Sequence, residues 1–432
     1  MSEPMRLAFK YKLRPTRKQE QAFRNFSGCC RFAYNALLSE EKEQYRDYLD
    51  ELESRLCFSE ALSEDEAKAL CVKPTLNQYS FNYALKKLKE EYPFLKEYCH
   101  SQVLQQKVMD LYEAFKKFFK GNGGYPKFKK RHSDDGFRYP QGFKVDEDNG
   151  RIYLPKIGYV RYRNSRKIEG IPKNVTVRQE ADGWYASIQC EFELNNHVIV
   201  PNLNTAVGID MGVKRFLTLS DRNFIESLKT KLKPLENKIA LLQRRIKRKV
   251  KGSNNIKKAY LKLALMHKRK ADIRNNFLHQ VSTLLIKNHD LIVIEDLKIK
   301  NMSKSARGTI ENPGENVKAK SGLNRSILNE AWRKFFTYLE YKLKLKGGIL
   351  IKVNSKHTSQ TCIQCGHISK DNRKEQAIFK CVKCGYEANA DVNAAQNILK
   401  RAGLARIACQ ANLIRGRQQE PAEAYNSSNI VV

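Results

Sequence analysis

Two pairs of cysteines constrain the local fold of this chain more tightly than any other feature of its sequence. Each pair has the spacing CxxC, and fifteen residues separate the two pairs, Cys362 with Cys365 and Cys381 with Cys384. A glycine follows each pair, where a tight turn needs a flexible backbone. The spacing is typical of a zinc ribbon, in which four thiolates surround one Zn²⁺ and leave no position for water. We therefore predict one structural zinc; coincidental thiols or a redox pair are the alternatives.

Three carboxylates stand where a strand ends or a helix begins. Asp210 follows the apolar run AVGI, Glu295 follows LIVI, and Asp391 begins a helix shortly after the second cysteine pair. Polar residues at the ends of buried strands often carry the chemistry of α/β folds. If the two strands are neighbours and the helix packs on their sheet, the three carboxylates converge. Their mutual repulsion would then require a bound cation.

An all-oxygen ligand set selects Mg²⁺ or Mn²⁺, and two such ions about 4 Å apart can promote hydrolysis of a phosphodiester. Each acid also has a simpler interpretation. Asp210 could cap a turn, and Asp296 could be the ligand in place of Glu295. Asp391, or Asn389 before it, could be only a helix N-cap.

The charge of the chain indicates a polyanionic partner. Its 80 Lys and Arg residues outnumber 46 Asp and Glu residues, for a net charge of +34, and such a field favours nucleic acid. A soluble basic protein without such a partner is the alternative. A helical hairpin predicted over residues 228–287 and the segment 125–132 concentrate the bases. The residues predicted to contact phosphates there are Lys127, Lys129, Lys130, Arg131, Arg244, Arg245, Lys247 and Arg248.

Hydrophobic periodicity divides the chain into three parts. Residues 5–13 alternate as a strand, residues 16–120 are helical and begin with a capping box at Thr16 and Gln19, and 137–194 alternate as a small β-barrel or meander. From residue 204 onward, strands and helices mix. We predict a central strand over 291–296, a polar loop over 301–324 and a helix over 325–346. No run is long and apolar enough to span a membrane, and no signal peptide precedes the first strand, which predicts a cytoplasmic protein.

Several long segments of the sequence resemble the TnpB family of transposon-encoded, RNA-guided DNA nucleases, relatives of the type V CRISPR effectors. They are YKLRPTRKQEQAFRNFSGCCRFAYNALL, GIDMGVKRFLTLSD, IVIEDLKIKNMSKS and TSQTCIQCGHISKDNRKEQAIFKCVKCGYEANADVNAAQNI. The resemblance implies a multidomain α/β plus β-barrel protein: a RuvC-like RNase H fold with an inserted zinc ribbon, a wedge β-barrel and an inserted helical recognition lobe. The implied parts are a wedge barrel (1–15 and 125–203), a helical lobe (16–124), a nuclease domain (204–356 and 386–410), a zinc ribbon (357–385) and a disordered tail (411–432).

The resemblance also implies roles for particular residues. Asp210, Glu295 and Asp391 would be the catalytic ligands of two Mg²⁺ ions, with Asp391 both helix cap and ligand. Arg373 matches a recurrent arginine of the family and either faces this site or lies on the surface. The candidates for reading a short DNA motif beside the target are Lys73, Gln102 and Gln106.

The implied partners are a guide RNA and target double-stranded DNA, bound by a monomer without a membrane. A nuclease-inactive, guide-dependent repressor and a guide-independent zinc-ribbon transposase accessory protein are the two alternative functions. The first would be expected to lack one of the three carboxylates. The second would carry no bound RNA.

Overall fold

The computed structural model describes residues 5–58, 70–71, 77–131, 135–192 and 205–403. The chain divides into two units, Met1–Leu194 and Asn195–Val432. Two features predicted from the sequence lie outside the described residues: Lys73 and the tail at 411–432.

The first unit contains a seven-stranded sheet. Its strands are β1 (Met5–Arg14), β2 (Gly136–Tyr139), β3 (Lys144–Asp146), β4 (Arg151–Leu154), β5 (Gly158–Tyr162), β6 (Ile171–Glu180) and β7 (Gly183–Phe192). They are ordered β2-β6-β7-β1-β5-β4-β3, and all neighbours are antiparallel. β1, the predicted first strand, joins the two halves because it pairs with β7 along most of its length and with β5 at its end. β2 and β3 are the outer strands, so closure into a barrel stays a prediction.

Four helices lie between β1 and β2 in the chain: α1 (Arg17–Phe58), α2 (Gln78–Glu91), α3 (Phe94–Tyr98) and α4 (Ser101–Phe119). The predicted capping box precedes α1 and is confirmed. The backbone N–H of Thr16 donates to Gln19 Oε1 at 3.0 Å, and the N–H of Gln19 donates to Thr16 Oγ1 at 3.3 Å. These two bonds satisfy backbone donors that a helix N-terminus leaves free.

Helices and sheet of the first unit share one apolar core. Phe23 of α1 packs against Phe137 and Trp184, with ring centroids 5.8 and 5.0 Å apart. Phe26, three residues further along the same helix, also contacts Phe137, at 5.1 Å. Aromatic pairs at these separations stabilise a core beyond the area they bury. The helical segment and the strands therefore pack as one body in this unit.

The second unit is built on a mixed five-stranded sheet. Its strands are β8 (Val207–Met211), β9 (Arg215–Leu219), β10 (Phe224–Glu226), β11 (Leu291–Glu295) and β12 (Ile349–Val353), in the order β10-β9-β8-β11-β12. The first three form an antiparallel meander, whereas β11 runs parallel to both β8 and β12. Every residue of β11 is buried. The prediction of a central strand covered on both faces is confirmed.

The helices of the second unit are α5 (Lys229–Lys247), α6 (Asn254–Asn288), α7 (Ile299–Met302), α8 (Val317–Glu330), α9 (Trp332–Lys346) and α10 (Ala390–Ala402). α5 and α6 form the predicted basic hairpin. α6 and α9 cover one face of the sheet through Leu278, Leu285 and Phe335, and α10 covers the other through Ile398 and Ala402. The zinc-ribbon segment contains the short pair β13 (Ile378–Lys380) and β14 (Glu387–Asn389) and lies between β12 and α10 in the chain.

The prediction for residues 301–346 was partly wrong. Helix α8 begins at Val317, inside the segment predicted to be a polar loop, and the predicted single helix over 325–346 is broken at Ala331. Ala331 has a φ of 55°, a left-handed conformation that ends one helix before the next begins. Ile327 and Trp332 are both buried in the core beneath the sheet. The break therefore lets two helix axes pack on one core.

None of the helices in the part of the chain that the structure describes is long and apolar enough to cross a bilayer.

Candidate active site and zinc ribbon

Alternation along two neighbouring strands places Asp210 and Glu295 on one face of the sheet. β8 and β11 pair in parallel with Ile209 opposite Ile294, so the next residues, Asp210 and Glu295, are neighbours. Ile209 and Ile294 point into the core covered by α6 and α9. Because successive side chains of a strand point to opposite faces, Asp210 and Glu295 point to the face covered by α10.

A glycine lets α10 approach that face closely. A Cβ atom on Gly208 of β8 would lie 2.2 Å from the carbonyl oxygen of Ala395, a separation that real side chains essentially never show. Asp391 lies one helical turn before Ala395 and therefore on the same side of α10. The approach of the helix to β8 brings Asp391 toward the end of the strand that carries Asp210. Sequence reasoning missed Gly208, although a glycine inside an apolar strand is a known sign of close backbone approach.

The three carboxylates share one electrostatic environment. Burial, together with the charges of Glu295 and Asp391, raises the pKa of Asp210 to about 8, against the partial compensation of Arg373. Burial also raises the pKa of Glu295, opposed by a hydrogen bond from Thr358 and the charge of Arg401. Such shifts are expected where several acids are held together away from water. The predicted convergence of the three residues thus has a direct electrostatic signature.

The sequence predicted that Asp391 caps its helix, and this prediction was wrong. Asn389 is the N-cap, because its side-chain oxygen accepts hydrogen bonds from the backbone N–H groups of Asp391 and Val392 at 3.1 and 3.2 Å. An amide at this position satisfies the backbone as well as a carboxylate would. The carboxylate of Asp391 instead accepts a hydrogen bond from Nη2 of Arg373 at 2.8 Å. Arg373 thus faces the carboxylates, one of the two placements left open by the sequence.

Asp296 is placed differently from Glu295, and the three carboxylates do not form a tight ligand group by themselves. Asp296 is exposed, and its backbone N–H donates to the carbonyl of Val353, so its position differs from that of buried Glu295. Metal ligands must lie close together. Within the described residues, the four cysteines form the group of three or more acids, histidines or cysteines whose ligand atoms all lie within 4.8 Å of one another. The three carboxylates lie near each other but outside that limit, and Asp391 is engaged by Arg373.

The four cysteines are arranged as zinc ligands. The Sγ atoms of Cys362 and Cys384 are 3.7 Å apart, and those of Cys365 and Cys381 are 3.6 Å apart. A disulfide would bring two sulfurs to about 2 Å. Tetrahedral coordination with Zn–S bonds of about 2.3 Å instead places sulfurs about 3.8 Å apart. The four thiols therefore fit one zinc ion and not a redox pair.

Both cysteine pairs form the same turn. The N–H of Gly366 donates to the carbonyl of Cys362 at 2.9 Å, and the N–H of Gly385 donates to that of Cys381 at 3.0 Å. The two glycines have φ values of 74° and 70°, in the left-handed region that favours glycine. Buried Asn372 joins the two turns, since its amide nitrogen donates to His367 O and its oxygen accepts from Val382 N. The ribbon is therefore built from two equivalent halves.

The predicted nucleic-acid residues lie on both units. Lys127, Lys130 and Arg131 are exposed, as are Arg244, Arg245, Lys247 and Arg248 of the basic hairpin. Lys129 is half-buried, with its ammonium 4.9 Å from the centre of the Tyr34 ring. Gln102 and Gln106 are half-buried on α4. Contact of any of these residues with nucleic acid stays a prediction.

Asp210→Asn should change how the stability of the divalent-free protein depends on pH. The ordinary pKa of aspartate is about 3.9 and that of folded Asp210 is about 8. Above pH 4 the unfolded chain loses this proton while the folded protein still holds it, so stability falls as pH rises toward 8. Asparagine does not ionise. We therefore expect Asp210→Asn to raise the melting temperature, and to raise it more at pH 8 than at pH 5.

Melting temperatures would be measured in metal-depleted buffer without a chelator, because a chelator would also remove zinc from the ribbon. Asp296→Asn is the control, since that side chain is exposed. An Asp210→Asn effect that is equal at both pH values would contradict the raised pKa.

Comparison with known proteins supplies the family. Three family models match the chain: "Helix-turn-helix domain" of OrfB_IS605 at residues 1–48, "Probable transposase" OrfB_IS605 at 187–306, and "Cas12f1-like, TNB domain" at 332–398. The chain is 44% identical over 426 residues to "Putative RNA-guided DNA endonuclease InsQ" of Escherichia coli (strain K12), covering 98% of each chain. The chain belongs to the TnpB family. The resemblance predicted from the sequence is confirmed.

A second TnpB-family relative is a "Putative RNA-guided DNA endonuclease" of Streptomyces pristinaespiralis, 32% identical over 95% of this chain and 92% of its own. Among solved structures, a Cas12f1–sgRNA–target DNA complex aligns with 92% of this chain and 99% of its own at 15% identity. Its TM-score of 0.47 is too low to establish a common fold. The described part of residues 1–48, matched by the helix-turn-helix family model, forms β1 and the first part of α1, a strand followed by one continuous helix.

Proposed function

We propose that this chain is an RNA-guided endonuclease that cleaves double-stranded DNA beside a short transposon-associated motif, using RuvC-type, Mg²⁺-dependent hydrolysis. The observation that carries the proposal is the convergence of Asp210, Glu295 and Asp391 on one face of the sheet. Relatives covering nearly the whole chain bear names with the same activity. A sheet scaffold alone would not distinguish a nuclease from a binding protein, because function lies in the site.

The arrangement of the second unit supports a RuvC-like domain of RNase H type with an inserted zinc ribbon. Its acids stand at the ends of two parallel neighbouring strands, β8 and β11. The ribbon is inserted between β12 and α10, and α10 returns to the sheet with the third acid. In the same way, the sheet and helices of the first unit are proposed to act as the wedge and recognition parts that hold nucleic acid.

The chemistry of the donors fits divalent cations. Asp210, Glu295 and Asp391 offer only carboxylate oxygens, the ligands preferred by Mg²⁺ and Mn²⁺. The raised pKa of Asp210 reflects first its burial and then the negative charges of Glu295 and Asp391. Two divalent cations held there would supply an activated water and stabilise the leaving oxygen of a phosphodiester. The three acids would hold the cations at one end of the sheet, and Arg373 offsets part of the anionic charge of Asp391.

The ribbon has a structural role in this proposal. Cys362, Cys365, Cys381 and Cys384 would hold one Zn²⁺ with no free position for substrate. The backbone N–H of Ile363 donates to Asn393 Oδ1 at 3.1 Å, so the first cysteine turn is bonded directly to α10. A bound zinc would therefore fix the segment against which the helix carrying Asp391 is placed.

Guide RNA and target DNA are the proposed partners, bound by one copy of the chain. Base pairing with the guide would supply sequence specificity, and the protein would read only the short duplex motif. Seventeen Lys and Arg residues lie between Lys229 and Arg274, and the bases at 127–131 add a second basic segment. Such residues contact phosphates and position nucleic acid without reading its sequence.

Lys247→Gln should weaken the binding of matched and unmatched nucleic acid alike. Lys247 is exposed on the basic hairpin. Each lost phosphate contact should reduce the slope of log affinity against log salt concentration by about one. Fluorescence anisotropy at several salt concentrations measures that slope. Lys344→Gln, which changes another exposed lysine on α9, is the matched control. An unchanged slope after combined substitution of Lys247, Arg244 and Arg248 would remove the hairpin from the binding surface.

The experiment that tests the function is reprogrammed cleavage. The protein is purified with its bound RNA, the RNA is sequenced, and its guide segment is replaced to match a chosen plasmid site. We expect a double-strand break at the new site in the presence of Mg²⁺. Guide-dependent binding without cleavage would favour a repressor, and a preparation without bound RNA would favour a guide-independent transposase accessory protein.

A further inference from the structure

A chain of buried polar side chains connects the zinc ribbon, the helix that carries Asp391 and the carboxylate of Glu295. Thr358 lies between β12 and the first cysteine pair and is 4% exposed. Asn393 and Asn397 lie one turn apart on α10 and are 0% and 3% exposed. Buried polar groups are costly unless they are hydrogen-bonded, so each of these side chains requires an explanation.

The hydroxyl of Thr358 donates to Oε1 of Glu295. The carbonyl oxygen of Ser355, at 3.1 Å, is a second acceptor but lies further away than the carboxylate. Oε2 of Glu295 has no hydrogen-bond partner within the described part of the chain. One oxygen of the buried carboxylate is thus held by Thr358, and the other is left free to accept a cation.

Asn397 holds Thr358 in turn. Its Nδ2 donates to the carbonyl of Thr358 at 3.0 Å and to that of Thr361 at 2.6 Å. Asn393 Nδ2 donates to the same carbonyl of Thr361 at 2.9 Å. The two asparagines therefore attach the segment 358–363 to α10 along one turn of the helix. Asp391 is on this helix, so the bonds fix Glu295 and Asp391 relative to each other.

We propose that Thr358 is a positioning residue for the divalent-cation site. Its hydroxyl orients Glu295 so that Oε2 is presented toward Asp210 and Asp391. Its backbone carbonyl accepts from Asn397, so the position of Thr358 depends on that of α10 and the zinc ribbon. This inference rests on the proposed function, in which Glu295 is a cation ligand. Hydrogen bonds to metal ligands fix ligand orientation, and their removal weakens metal affinity by about 10- to 100-fold.

The test is the Mn²⁺ affinity of full-length, zinc-loaded protein with its bound RNA, measured from the free-Mn²⁺ signal in electron paramagnetic resonance. The Glu295→Ala complex supplies the background from RNA. Thr358→Val keeps the size of the side chain but removes the hydroxyl, and we expect its Mn²⁺ affinity to fall by about 10- to 100-fold. Thr358→Ser restores the hydroxyl and should bind within about threefold of the unsubstituted protein, since the same hydrogen bond can form.

Thr361→Val is the matched control. The Thr361 hydroxyl donates to the carbonyl of His357 at 2.6 Å and has no bond to Glu295, whereas the carbonyl of Thr361 accepts from both asparagines. This substitution therefore removes an equivalent hydroxyl from the same segment and leaves the polar chain intact. It should keep its Mn²⁺ affinity. Equal losses of affinity and zinc in both valine variants would indicate a purely structural role and overturn the proposal.

Zinc content and melting temperature separate positioning from misfolding. Thr358→Val should retain one zinc per chain; if it does not, Thr358→Ala is used and the same loss of Mn²⁺ affinity is expected. Unchanged Mn²⁺ affinity without the hydroxyl overturns the positioning role even when the unsubstituted protein cleaves DNA. Mn²⁺ binding without guided cleavage contradicts the proposed function, while the comparison of valine and serine still decides the role of Thr358.

Discussion

Asp210→Ala is expected to abolish guided DNA cleavage while leaving folding and target binding intact. Asp210 is a buried acid whose pKa is raised to about 8 by burial and by the charges of Glu295 and Asp391, so its removal relieves repulsion in the divalent-free protein. Affinity for guide and target would come from phosphate contacts and base pairing elsewhere. Cleavage should fall by roughly 10⁴-fold or more, as when one member of a catalytic unit is removed.

Glu295→Ala and Asp391→Ala should lose cleavage to a similar extent. A double variant should be little worse than either single variant, because residues that act as a unit are not additive. The measurement is cleavage of a guide-matched plasmid with and without added Mg²⁺. Withholding Mg²⁺ is preferable to a chelator, which would also strip the ribbon of zinc.

Asp296→Ala is the control for this prediction. Asp296 directly follows Glu295 but is exposed, so its substitution removes an equal charge without touching the buried cluster. It should cut nearly as well as the unsubstituted protein. Robust cleavage by Asp210→Ala, or cleavage without a divalent cation, would overturn the assignment of the site and favour a protein that only binds its target.

Cys381→Ser should release zinc and eliminate cleavage, although Cys381 does not touch the site formed by the three carboxylates. Zinc binding to four thiolates contributes folding free energy on the order of 10 kcal/mol, so the ribbon should unfold without the metal. The first cysteine turn is bonded to Asn393 of α10, and the segment before it is bonded to Asn397. Loss of the ribbon would therefore release the helix carrying Asp391 from its place on the sheet.

Elemental analysis should find one zinc per chain in the unsubstituted protein and none in Cys381→Ser. Plasmid cleavage and limited proteolysis of the ribbon would be measured on the same samples. Cys57→Ser is the control, because Cys57 is exposed on α1 and is not part of the four-cysteine group. Full cleavage by a Cys381→Ser protein that contains no zinc would show that the ribbon does not position the active site.

Features encoded by neighbouring residues were predicted well from the sequence. The two cysteine turns follow from CxxC spacing and the glycines after it, and the capping box at Thr16 and Gln19 follows from residues three positions apart. β11, which is apolar except for its last residue Glu295, was recognised as a central strand for a similar reason. Turns, caps and alternation depend on the local backbone, so a short window of sequence contains the information that determines them.

The sequence predicted which residues are candidates for the site, but it did not predict the contacts between them. Asp210, Glu295 and Asp391 were identified because each has a local signal at a strand end or a helix start. Their mutual arrangement depends on β8 pairing with β11 and on the approach of α10 over Gly208. Asn389 is the N-cap, because its side chain accepts from the first backbone N–H groups of the helix, and the carboxylate of Asp391 instead binds Arg373, 18 positions earlier. Nothing in the local pattern distinguishes these two outcomes.

The sequence by itself determined the four-cysteine spacing of a zinc ribbon, the basic hairpin and the choice of the three acids as candidates, because each depends on spacing or composition. Only the tertiary structure decided that Ala331 divides two helices and that Thr358 binds Glu295, 63 positions away. A contact across that distance depends on strand register and on how a helix packs against the sheet. These are properties of the whole unit, so the residues that orient the site became identifiable only when its elements were packed together.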